Sequence, residues 1–248
     1  MTELKYLEEP NTDEEIYKIL HPVVARWFKK KFGSFSDAQK YSVAQIWKRQ
    51  DILLTSPTGS GKTLCAFASI LSYLITLSEK GELEDKVYAV YSSPLKALSK
   101  DIEVNLNEPL KEMEEMEGKK FGIRVGLRTG DTTVAERAKM LRKSPHILIS
   151  TPESLAIILT TTKFIEKMWG VEFCVVDEIH SLDNKRGTYL SLTLERLNEV
   201  SKIWPTKIGL SATVEPLDEV AQYLVGEADD RTVAIARVPL DKKIDVQV

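Results

Sequence analysis

Residues 53–63 read LLTSPTGSGKT, an apolar run that passes without a break into a glycine-rich turn closed by Gly61-Lys62-Thr63. A phosphate-binding loop has a first glycine, four residues, then Gly-Lys-Ser/Thr. Here the first glycine position holds Ser56. The context still fits. Residues 51–56 form a β-rich run, and the apolar stretch from Leu64 to Leu77 opens directly from Thr63 as a buried helix. In a strand–loop–helix unit of this kind Gly59 and Gly61 permit tight curvature, which aims backbone N–H groups at phosphate oxygens. Lys62 supplies positive charge to the phosphates, and the Thr63 hydroxyl is a ligand for Mg²⁺. The competing reading is a glycine-rich turn that merely starts a helix.

Outward from this loop, β-rich runs recur at 87–93, 124–129, 146–151, 172–177, 207–212 and 231–236. Helical patterns separate them at 95–116, 134–142, 190–200 and 217–224. Strands this apolar, with little alternation, predict a mostly parallel sheet covered by helices on both faces. The expected fold is therefore α/β, a single P-loop domain with right-handed crossovers. Ahead of it, residues 14–49 read as helical. The expected organisation is an N-terminal helical segment over 1–50, an ATP-binding domain over 51–238, and a linker or strand beginning over 239–248.

A second element supports the first. The apolar run 173–176 leads into Asp177-Glu178-Ile179-His180, and a strand ending in two carboxylates is where a P-loop enzyme keeps its magnesium and its water. Asp177 would hold Mg²⁺ through water, and Glu178 would position the attacking water. Adjacent strand residues point to opposite faces, so both reach one site only if the strand end frays. An acidic helix cap is the bland alternative for an Asp-Glu pair taken alone.

Composition sets the outer bounds. The 248 residues carry 34 Lys and Arg against 37 Asp and Glu, a net charge of −3. No global basic footprint announces nucleic acid, yet local phosphate contacts through backbone N–H groups remain open. The basic run 26–31 reads as a solvated helix face with Trp27 and Phe28 turned inward. Cys65 and Cys174 sit in apolar runs and read as buried free thiols. The three histidines have no metal-ligand spacing, and His21 and His146 are assigned to structure. There is no membrane-length apolar run and no signal peptide, so the expectation is an intracellular protein, cytoplasmic or nucleoid-associated.

These motifs, in this order, resemble the superfamily 2 helicases from about residue 20 to 240. That group commonly carries a small residue at the first glycine position, so Ser56 with Pro57, Thr58, Gly59, Ser60, Gly61, Lys62 and Thr63 is identified as its nucleotide loop. The resemblance implies that Gln39, in the run Phe35-Ser36-Asp37-Ala38-Gln39, contacts adenine. It implies nucleic-acid contacts by Ser93, Pro94, Lys96, Arg128, Thr129, Gly130, Thr151 and Pro152. Catalysis would rest on Lys62, Asp177, Glu178 and His180, with ATP and Mg²⁺ as cofactors. Ser211, Ala212 and Thr213, with His180, would couple nucleotide turnover to movement on nucleic acid. Lys185 and Arg186 could face DNA or a solvated loop equally well. The stretches 93–101, 128–132, 151–159 and 176–197 are most similar to the Lhr ("large helicase-related") group. This implies ATP-driven translocation on single-stranded DNA with 3′-to-5′ polarity and unwinding of duplexes or DNA–RNA hybrids.

The few aromatics in the expected strand-contacting loops point to backbone gripping rather than base stacking, hence to sequence-independent, salt-sensitive binding. The chain stops before any motif of a second RecA-like domain, whose arginine finger would neutralise transition-state charge. The sequence is therefore read as the first motor domain of a larger enzyme, binding nucleotide but hydrolysing it slowly by itself. An RNA-directed or remodelling motor, and a non-enzymatic nucleotide-dependent module, stand as alternatives.

Overall fold

The computed structural model describes residues 2–57, 59–94, 96–181, 184–212, 214–226 and 231–238, and for 96–100, 181 and 184–186 the backbone alone. Eight strands make one sheet: β1 (Glu3–Tyr6), β2 (Asp51–Thr55), β3 (Ala89–Ser92), β4 (Val125–Arg128), β5 (Ile147–Ser150), β6 (Phe173–Val176), β7 (Thr206–Ser211) and β8 (Thr232–Arg237). Their order is β1-β8-β2-β7-β6-β3-β5-β4, and each pairing is parallel. The doubly covered parallel sheet expected from the apolar runs is present.

Side chains alternate across it, as the period of two requires. Ile52 and Leu54 of β2 enter one hydrophobic core, with Tyr91, Ile149, Val175 and Ile208. Leu53 enters the other, with Val90, Leu148, Cys174 and Val176. The first core is roofed by α1 (Asp13–Ile19), α2 (Pro22–Phe32), α3 (Asp37–Trp47), α4 (Lys62–Lys80) and α5 (Lys96–Glu117). The second lies under α7 (Pro152–Ile158), α8 (Thr162–Met168), α9 (Asn184–Val200) and α10 (Leu217–Val225). Helix α6 (Val134–Arg142) has no buried residue. Both cysteines are buried free thiols, and burial drives the Cys65 thiol to a pKa of about 12.

Three features of the chain start from local chemistry. His21 caps α2, its Nδ1 accepting the Val23 N–H, and Pro22 takes the first helical turn. The basic run on α2 is a solvated face, as expected: Trp27 and Phe28 are buried, while Arg26 and Lys31 pair with Glu117 and Glu112 of α5. Strand β1 is an addition to the expected fold. The sequence ELKY gives no apolar alternation, because this is an edge strand with mostly exposed side chains. Its pairing with β8 is reinforced by Tyr6 donating to Asp218 and Thr232 donating to Glu3. The short helix α8 also lies outside the sequence expectation.

Candidate nucleotide site and nucleic-acid face

The nucleotide loop leaves the carboxyl end of β2, where ligands bind in open parallel sheets. Gly59 and Gly61 have φ of +78° and +82°, the left-handed region that glycine enters without steric cost. A Cβ on Gly61 would lie 2.8 Å from Gln39 Nε2. Ser56, in the position usually held by glycine, is stitched into the loop by a 2.6 Å contact between its Oγ and Ser60 Oγ. Lys62 starts α4 and is 7 % exposed, its ammonium donating to the carbonyls of Ser56 (2.6 Å) and Pro57 (3.0 Å). Burial holds its pKa below the usual lysine value, against the fields of Glu178 and Asp177. Thr58 lies outside the described residues.

Helix α3 braces this loop. Ser36 forms a capping box with Gln39, whose Oε1 accepts the Ser36 N–H at 2.9 Å. The Ser36 hydroxyl donates to Ser60 O at 2.8 Å. The structure therefore brings the buried Gln39 against the phosphate loop itself. Ser36 was not singled out from sequence, although its position three residues before Gln39 is the capping-box spacing that could have found it.

The acidic pair lies two strands along the sheet. Strand β6 ends at Val176, and β7 stands between it and β2. Asp177 continues the pairing by donating its N–H to Ser92 O at 2.8 Å. Its carboxylate accepts the Tyr91 hydroxyl on Oδ2 at 2.5 Å and the Glu178 N–H on Oδ1 at 2.9 Å. Burial raises the Asp177 pKa, and the Tyr91 bond opposes that. Glu178 resolves the alternation problem by backbone conformation: its φ is +51°, unusual for a non-glycine residue. Such strain collects at functional sites.

Glu178 Oε2 sits 3.1 Å from His180 Nε2. His180 Nδ1 accepts the Ala212 N–H at 3.2 Å and lies 3.1 Å from Ser211 Oγ. Because Nδ1 is an acceptor, the neutral ring carries its proton on Nε2, facing Glu178. Ser211 closes the path, since its carbonyl accepts the Ser56 N–H at 3.2 Å. One residue of the intervening strand thus touches both the nucleotide loop and the histidine of the acidic motif. Thr213 lies outside the described residues.

A magnesium ion suits this donor set. Thr63 and Asp177 offer hard oxygens, the ligand type Mg²⁺ takes beside phosphates and waters. Among the described residues no cluster of three or more His, Cys, Asp or Glu could hold a metal.

The residues expected on nucleic acid fall on the loops after β3, β4 and β5. Ser93, Arg128, Thr129, Thr151 and Pro152 are buried, whereas Gly130 is exposed. The side chain of Lys96 lies outside the described residues, as do those of Lys185 and Arg186. Thr151 caps α7 by accepting the Ser154 N–H at 3.3 Å, and Pro152 takes its first turn. Ser93 is not the cap of α5, which begins at Lys96, and its hydroxyl is buried with no hydrogen-bond partner among the described residues. Thr129 and Thr132 fold the loop after β4 on itself: the Thr129 N–H donates to Thr132 Oγ1 at 2.8 Å, and Thr129 Oγ1 accepts the Asp131 N–H at 3.3 Å. Ser150 Oγ ties the β4 and β5 ends together through Arg128 O at 2.8 Å. The Arg128 guanidinium stacks over Phe164, 4.8 Å from its centroid.

A parallel sheet with a phosphate loop after β2, an acidic pair after β6 and one strand between them defines a RecA-like P-loop domain. The chain belongs to the DEAD/DEAH box helicase family, whose sequence model matches residues 36–220. It is 51 % identical over 251 residues to the ATP-dependent helicase Lhr-Core of Methanothermobacter thermautotrophicus, covering 99 % of this chain and 29 % of that protein. It is 35 % identical to the Lhr helicase/uracil glycosylase of Escherichia coli, over 97 % of this chain and 16 % of that one. Its fold matches the structure of Mycobacterium smegmatis helicase Lhr bound to ssDNA and AMP-PNP with a TM-score of 0.81 at 36 % identity, covering 90 % of this chain and 28 % of the other. The chain thus spans about three-tenths of the length of the Lhr-Core relatives. Among the described residues no helix is long and apolar enough to cross a membrane.

Proposed function

We propose that this chain is the ATP-binding first motor domain of an Lhr-like helicase. In that reading it couples ATP hydrolysis to translocation on single-stranded DNA, 3′ to 5′, and to unwinding of duplexes or DNA–RNA hybrids. The observation that carries the proposal is the hydrogen-bond path from Ser56 through Ser211 to His180 and Glu178. It joins the phosphate loop to the acidic motif through one residue of β7.

Lys62 exchanges its contacts with Ser56 O and Pro57 O for phosphate oxygens, a trade favoured by the larger charge of the new partner. Gln39, with its amide beside Gly61, reads the adenine edge from the α3 side of the loop. Thr63 and Asp177 would hold the metal, Asp177 through water. Magnesium, when bound, neutralises charge that develops on the transferring phosphoryl group. Glu178, oriented by the His180 Nε2–H, accepts a hydrogen bond from the attacking water. Ser211, Ala212 and Thr213 pass a change at the nucleotide loop to His180 and onward to the nucleic-acid loops.

In this division residues 1–50 carry Gln39 on helices and also lend β1 to the motor sheet, 51–238 make the motor domain, and 239–248, outside the described residues, precede a second RecA-like domain. That domain supplies the arginine needed for fast turnover, an effect of about 10³–10⁵ in related NTPases. Further C-terminal domains complete the enzyme, which works inside the cell in association with DNA.

The test is a Mg-ATP titration of this chain beside Lys62→Ala, with released phosphate counted in the same samples. Binding that disappears in the variant, with negligible turnover, is the expected result. Fast turnover by the chain alone refutes the two-domain reading, and stimulation of the complete protein by RNA but not DNA refutes the DNA assignment.

A further inference from the structure

Tyr91 has no place in the nucleotide motifs, yet it touches a residue assigned to the metal. It is fully buried on β3, with its ring stacked on Phe67 of α4 at 5.2 Å between centroids and 21° between planes. Its hydroxyl donates to Asp177 Oδ2 at 2.5 Å. The Asp177 carboxylate, just beyond β6, is thereby held by one rigid side chain anchored in the core.

We propose that Tyr91 is a positioning residue for the magnesium site, holding the Asp177 carboxylate in one orientation so that it is pre-arranged for the ion. The inference rests on the reading of Thr63 and Asp177 as metal-holding residues. A carboxylate on two donors has few rotamers left, and the Glu178 N–H on Oδ1 supplies the second. The phenol occupies Oδ2 with a charge-assisted bond, which is short and strong. An outer partner of this kind commonly changes metal affinity by roughly 10–100-fold when removed.

The variant is Tyr91→Phe, which deletes the hydroxyl and keeps the stack on Phe67. Affinity for a fluorescent adenine nucleotide is measured with excess Mg²⁺ and again with a chelator, alongside the melting temperature of the nucleotide-free chain. Thr63→Ala is the reference. Tyr91→Phe is expected to lower the ratio of magnesium-dependent to metal-free affinity roughly tenfold, leaving the metal-free affinity close to that of the unsubstituted chain and lowering the melting temperature by only the few degrees that one buried hydrogen bond is worth. An unchanged ratio in Tyr91→Phe, with the ratio lowered in Thr63→Ala, overturns the positioning role and leaves the nucleotide site intact. A ratio that falls only together with a collapsed melting temperature overturns it too, assigning Tyr91 to core stability. Absence of any magnesium-dependent binding by the unsubstituted chain overturns the functional reading and this inference together.

Discussion

Glu178 adopts a backbone conformation that glycine would take more readily, and this gives a test independent of catalysis. Its φ of +51° places a branched-off Cβ in the left-handed region, at a cost of about 1–2 kcal/mol for an L-residue. Alanine at this position pays the same cost, while glycine escapes it. Glycine instead leaves a more flexible unfolded chain, worth about 0.4–1 kcal/mol against it. Both variants delete the same carboxylate and its 3.1 Å contact with His180, so side-chain losses cancel in the comparison. The difference is about 1 kcal/mol in favour of Glu178→Gly, reversing the usual order of alanine over glycine. For a domain of this size that is about 2–4 °C in melting temperature, readable by calorimetry or denaturant unfolding. Equal stability, or a more stable Glu178→Ala, would refute the strained conformation. It would also remove the explanation of how two neighbouring carboxylates reach one site.

Two further outcomes follow from specific contacts. Ser211→Ala deletes the 3.1 Å contact to His180 while leaving the main-chain carbonyl that accepts the Ser56 N–H. Nucleotide affinity should stay within about twofold, whereas nucleic-acid-stimulated turnover of the complete protein should fall roughly fivefold to tenfold, the value of one hydrogen bond. Unchanged stimulation would break the proposed path. His146 is 1 % exposed, and burial pushes its pKa from 6.5 down to about 4. Between those values the unfolded chain binds the extra proton, so stability is full above pH 6.5 and is lost as the pH falls toward 4. The slope from this one group is at most about 1.4 kcal/mol per pH unit. In His146→Asn, which keeps an acceptor for the Arg124 N–H, that component of the acid titration should vanish; an identical acid profile would show that His146 does not carry it.

The parallel sheet, the phosphate loop and the acidic strand end were legible in the sequence because each is a local pattern. Unbroken apolar runs mean strands buried on both faces, and glycines beside lysine and threonine mean a turn that exposes N–H groups. Strand β1 was not legible, since an exposed edge strand has no apolar signature and acquires its pairing from β8, more than two hundred residues away. The order of the strands, which sets β7 between the two halves of the site and lets Ser211 touch both, is likewise a property of the assembled sheet. Gln39 was marked in sequence for a base, and its capping-box bond to Ser36 is local, but its place against Gly61 depends on α3 docking beside the loop. The same holds for Tyr91: a tyrosine in an apolar strand reads as core, and only the packing of β3 between β6 and β5, under α4, brings its hydroxyl to Asp177. Sequence by itself determined which chemical groups the site contains. Tertiary structure decided which of them meet, because hydrogen bonds of about 3 Å depend on distances that contiguous residues do not encode.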